Sequence, residues 1–246
     1  MYDITCNFHL PADSPLHDAG NALDALRPYA QWLGDHDPTM QRWWLGGDTL
    51  EEANRYEVFA DGVNGHTAAR AVVTAEFKKS REPVVFLWNG EEGDNKGSSL
   101  VLSVTETIFP SHITLKPSGP IAGSRLGDYK QTAEFVAMLA RDTDAACCFV
   151  YNSSGYFPKM TFKDRPSVGW MLYLPRVLTS QDVPEARALL PVIKDKQQIG
   201  TIVVSVTDSV FDYRNPEHLT IVQAIETRLV SNEWLPTWAQ MTKPAS

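Results

Sequence analysis

The chain has 246 residues, 43% of them hydrophobic and 21% charged, enough to bury a substantial core and unlike a disordered or fibrous chain. Its net charge is −8, and the excess is confined: residues 1–62 hold 11 acids against Arg27, Arg42 and Arg55, while the other 184 residues hold 19 of each sign. That balance argues against direct nucleic-acid binding, which needs a basic face, and no apolar run approaches the roughly 18 residues of a membrane span.

Tyr2, Ile4, Cys6, Phe8 and Leu10 alternate with polar residues, the period of a half-buried strand rather than of a secretory signal. A cytoplasmic protein is therefore expected. Ser14-Pro15 starts a helix, with Leu16, Ala19, Leu23, Leu26 and Ala30 on its apolar stripe and an end near Leu33-Gly34. Asp35-His36-Asp37-Pro38 reads as a polar loop into a short strand, Arg42-Trp43-Trp44-Leu45. Gly46-Gly47 breaks that strand, and Thr49 with Glu52 fits a capping box opening a second helix. A third helix is expected from about Asn64 to Lys79.

Strands at Val84–Trp88, Ser99–Thr105 and His112–Lys116 follow, the first two joined by a glycine-rich polar turn and hence antiparallel. Pro117-Ser118-Gly119-Pro120 opens the best boundary, near 117–127, if residues 1–246 divide into two halves rather than forming one domain. Beyond it come a helix over Asp128–Arg141, strands near Ala146–Tyr151, Gly169–Leu174, Leu189–Ile193 and Gly200–Val206, and a last helix from Asn215-Pro216. Helices among antiparallel hairpins predict an α+β fold with a largely antiparallel mixed sheet.

Motifs for chemistry are sparse. Three cysteines, two of them adjacent, read as buried reduced thiols. The six histidines are scattered with no zinc spacing, so neither metal nor cofactor is expected. Asp61 with Glu76-Phe77-Lys78 matches the loose D…ExK pattern of metal-dependent nucleases, in which two carboxylates hold the ion and the lysine helps position water. Ala68–Lys79 reads equally well as a helix, and an acidic chain suits DNA poorly.

The acidic segment is the more informative feature. Asp35, Asp37, Asp48, Glu51 and Glu52 surround Trp43-Trp44, and Glu91, Glu92 and Asp94 form a second cluster. Adjacent side chains on a strand point to opposite faces, so one of the two tryptophans can face solvent; the competing reading buries both. An exposed tryptophan ringed by carboxylates would be a hot spot for a basic protein surface.

The run Arg42-Trp43-Trp44-Leu45-Gly46-Gly47-Asp48-Thr49-Leu50-Glu51-Glu52-Ala53, after a strand and a helix, resembles the immunity protein 52 family. The resemblance implies a non-enzymatic bacterial protein that neutralises a cognate toxin of the restriction-endonuclease-like nuclease class, delivered by type VI secretion. The expected partner is that toxin domain, met by the ten residues just named. The alternatives are the metal-dependent nuclease and a non-inhibitory adaptor.

Overall fold

A computed structural model describes residues 2–59, 67–80, 82–93, 95–105, 107–119 and 124–242. Among them nine strands form one sheet in the order β2-β3-β4-β5-β1-β6-β7-β9-β8, and every neighbouring pair is antiparallel. The strands are β1 (Asp3–Phe8), β2 (Trp44–Leu45), β3 (Val84–Trp88), β4 (Ser98–Ser103), β5 (Ser111–Pro117), β6 (Cys147–Tyr151), β7 (Met171–Leu174), β8 (Ala188–Lys194) and β9 (Gln197–Val204). The helices are α1 (Ala19–Ala25), α2 (Arg27–His36), α3 (Leu50–Ala53), α4 (Thr67–Phe77), α5 (Tyr129–Thr143), α6 (Ser153–Tyr156) and α7 (Pro216–Ser231). This is the expected α+β fold. The sheet runs through the proposed boundary, because β1 lies between β5 and β6 and so joins both halves of the sequence.

Register defines the two faces. Ile4, Cys6, Leu100, Leu102, Ile113, Leu115 and Cys148 share one face, which helices cover. The α5 residue Thr143 places its hydroxyl 3.4 Å from Cys6 Sγ, and α2 packs on α5 through Tyr29 and Trp32 against Phe135. Asp24 of α1 and Arg70 of α4 form an ion pair at 2.7 Å that links those two helices.

Among the described residues the opposite face is covered over the β6 side. There Phe149, Tyr151, Tyr156, Trp238 and Phe211 form an aromatic layer with ring centroids 4.8–6.1 Å apart, and Cys147 meets Met241. This layer reaches β1, so Asp3 and Asn7 are buried as well as the apolar positions. The alternating pattern therefore marks a central strand rather than a half-buried one. Over β3 and β4 the same face is open: Val84 and Phe86 are 48% and 46% exposed.

The first predicted helix is three pieces. Ser14 caps a 3-10 turn at Pro15–His17, Asp18 caps α1, and α2 starts at Arg27-Pro28, where proline supplies no N–H to a continuing helix. α2 then runs past Gly34 to His36, so Asp35 and His36 are helical rather than loop. Thr49 caps α3 by accepting from Glu52 N, but the Glu52 carboxylate reaches Asp48 N instead of closing the box at Thr49.

Candidate functional site

The acidic residues singled out in the sequence divide by environment. Asp37 is interior. Its carboxylate accepts Arg125 Nε at 2.8 Å and both the N–H and the hydroxyl of Thr39, at 2.9 and 2.7 Å. Burial raises its carboxyl, but the Thr39 hydrogen bonds and the guanidinium outweigh that and hold it below the usual 3.8. Arg125 also donates to Gly97 O, Ser98 Oγ, Ser118 O and Thr39 Oγ1, so this pair ties four segments of chain together. The Asp37 carboxylate is thus engaged within the chain by Arg125 and Thr39.

Trp43 is also interior. It is 1% exposed and belongs to the core, because it shares the parity of Leu45 on the helix-covered face. Trp44 points the other way, half-buried beside Trp88, with the Arg42 guanidinium 4.7 Å above its ring. Gly90 closes over it: its φ is +73°, and a Cβ there would strike the indole at 2.5 Å.

The exposed acids gather chiefly at α3. Asp48, Glu51 and Glu52 are exposed, and Glu51 stands 3.9 Å from Arg55. Asp35 is exposed on α2, lining a separate groove with Arg27, Gln41 and Phe59. Glu91 and Glu92 lie on the β3–β4 loop, which Asn89 pins by donating to Thr39 O and Lys96 O and accepting from Ser98 N. Asp94 lies outside the described residues. Not all ten predicted residues converge: the α3 acids, Trp44 and the anchored loop flank the β2–β3 edge of the sheet, whereas Asp35 opens elsewhere.

Sequence reasoning missed a groove of about 380 Å³ beside α3. Exposed Asp48 and Glu76 line it together with Val72 and Val73 of α4 and Val84, Val85 and Phe86 of β3. The signal was present in Val84-Val85-Phe86-Leu87-Trp88. An apolar run on an antiparallel strand presents apolar side chains to both faces, whether or not something covers the second one.

The nuclease pattern does not assemble in the described residues. Asp61 lies outside them, Glu76 is in the last turn of helix α4, and Lys78 follows the helix, which ends at Phe77. Glu76 instead pairs with Lys79 at 2.7 Å. Among the described residues no group of three or more His, Cys, Asp or Glu side chains is placed to hold a metal ion. No helix there is long and apolar enough to cross a membrane.

No curated protein matches the chain. Among solved structures it is similar to the Pseudomonas aeruginosa T6SS protein PA0821, with a TM-score of 0.51 at 10% sequence identity, covering 91% of this chain and 72% of that one. At that identity the likeness is one of fold. The family comparison reaches further, because Immunity protein 52 matches residues 24–236, from α1 to beyond α7. The chain belongs to the Immunity protein 52 family, and a toxin is the partner that membership implies.

Proposed function

We propose that this protein binds and neutralises a nuclease toxin of the restriction-endonuclease-like class, acting in the cytoplasm as a stoichiometric inhibitor rather than as an enzyme. Membership of the Immunity protein 52 family carries the reading. The likeness in fold to a T6SS protein accords with a toxin delivered by type VI secretion. A nuclease must present a basic surface to DNA, and carboxylates on an inhibitor can occupy it while speeding encounter.

Exposure supports a choice among these carboxylates. Asp24, Asp37 and Glu57 are engaged by Arg70, Arg125 and Arg42 and serve the fold. Glu51 and Glu52 are exposed on four-residue α3 and Asp48 just before it, with Trp44 on β2. These form the proposed contact surface, with Glu91, Glu92 and Asp35 as further contributors.

Growth rescue tests the function. Co-expression with the toxin encoded beside this gene should restore viability, preserve chromosomal DNA and give a co-purifying complex. Replacing Asp48, Glu51 and Glu52 together with Ser should weaken the complex and flatten its salt dependence. Stable binding without growth protection would point to the adaptor reading, and neither rescue nor complex would reject inhibition.

A further inference from the structure

Several of the large apolar side chains left in solvent among the described residues lie together. Val84, Phe86, Ile108 and Phe109 are 48%, 46%, 45% and 60% exposed, and all lie at one end of the sheet. Val84 pairs with Ser103 at the close of β4, and Val104 N donates to Pro83 O, so the loop carrying Ile108 and Phe109 departs beside Val84. Single exposed apolar residues are ordinary, but a cluster marks a surface that something else covers.

The groove beside α3 gives this cluster a shape. β2 pairs with β3 at Trp88 and Leu87, Gly46 N then donates to Phe86 O at 3.2 Å, and the pairing stops there, short of Val84. Among the described residues no strand covers β3 at Val84, and the gap between Val84, Phe86 and the α4 valines stays open. Phe86 lies over Gly46, where a Cβ would meet its ring at 2.3 Å, so glycine at 46 leaves room for the phenyl. Exposed Asp48 and Glu76 line the groove, and Glu51 and Glu52 follow on α3. The Glu76–Lys79 pair is more than half exposed on both sides, so an incoming base can displace the lysine at little cost.

An apolar slot with exposed carboxylates in its lining recognises an apolar side chain flanked by bases. We infer that this groove, lined by Val72, Val73, Val84 and Phe86, is the anchor point for the toxin, receiving an aromatic or aliphatic side chain that Lys or Arg residues flank on the toxin's basic surface. The inference rests on the proposed immunity function and adds to it the place and chemistry of the contact.

Calorimetric titration of the full chain with the purified toxin domain tests it. Phe86→Ser, Val84→Asp and Asp48→Lys should each weaken binding at least about thirtyfold, the lower bound of an interface hot spot. Phe157→Ser and Val177→Asp, at exposed apolar positions elsewhere, should bind like the wild type. Melting curves identify any variant that has lost its fold; should Phe86→Ser do so, Asp48→Lys at an exposed side chain carries the same test. Groove variants that fold and bind like the wild type overturn the inference while leaving the immunity function standing. So does a concentration-dependent dimer, seen by light scattering, that Phe86→Ser abolishes, because the groove would then join two copies of this chain. Failure of the wild type to form any complex overturns the immunity function, and this inference with it.

Discussion

Glu226 and Asp37 contribute to the chain's response to pH in opposite directions. Glu226 on α7 is 1% exposed, and its Oε1 accepts from Ser167 Oγ, Tyr156 OH and Val168 N. Burial nevertheless outweighs these bonds and raises its carboxyl above 4.5. The folded chain therefore holds a proton that the unfolded chain releases, and stability falls as pH rises from about 4.5 through the folded value. Glu226→Gln keeps the accepting oxygen and removes the titration, so its Tm should decline less over that range in scanning calorimetry. Parallel pH profiles would assign the decline to other groups. Asp37 is the converse case: its carboxyl is held below 3.8, so its contribution is present above that pH and is lost as pH falls through the folded value. Arg125→Ala leaves Asp37 without its guanidinium at a position where both side chains are under 15% exposed, and should cost about 3–5 kcal/mol in urea unfolding. Arg125→Lys keeps the charge but loses the fork, and should fall between the two.

At the scale of elements, the turn between β3 and β4 is constrained at Gly90. Gly90 combines a positive φ with the Trp44 indole against its α-carbon, so Gly90→Ala meets both backbone strain and a clash. A loss of about 1–3 kcal/mol is expected, with Trp44 fluorescence displaced; unchanged fluorescence and stability would mean that the turn relaxes freely. Long periodic elements were legible to within a few residues. α5 carries the Asp128–Gln131 capping box, and α7 starts behind Asn215 as its sequence indicates. β2 shrank from four residues to two because it is held from both sides over a short stretch, by Trp88 and by the return of the chain at Glu57. The helix from Ser14 broke at Pro28 although its apolar stripe ran on, since a stripe records burial and not continuity of backbone hydrogen bonds.

At the scale of the molecule, the sheet encloses all three cysteines as free thiols. Burial pushes the Cys147 thiol up to about 12 and raises Cys148 as well, so neither forms a thiolate at neutral pH. A thiol reagent should react with native protein only as fast as it unfolds, and rapidly in denaturant. Fast labelling under native conditions would indicate local opening between β1 and β6. The same enclosure distinguishes the two ends of the sheet. Aromatic side chains seal the β6 side of the second face, and the β3 side is left for a partner in the proposed complex.

The sequence by itself determined the α+β class, most strand positions and the family, through the Arg42–Ala53 run, because periodicity and capping are local properties. It also located the acidic excess, since charge can be counted without knowing the fold. Tertiary structure decided which of those charges are free. Asp37 and Asp24 look like Asp48 in sequence, but their arginines arrive from 88 and 46 residues away. It decided equally that Trp43 is core and that Val84 and Phe86 are surface. Strand parity offers each side chain one of two faces, and only the packing of distant segments determines which face is covered.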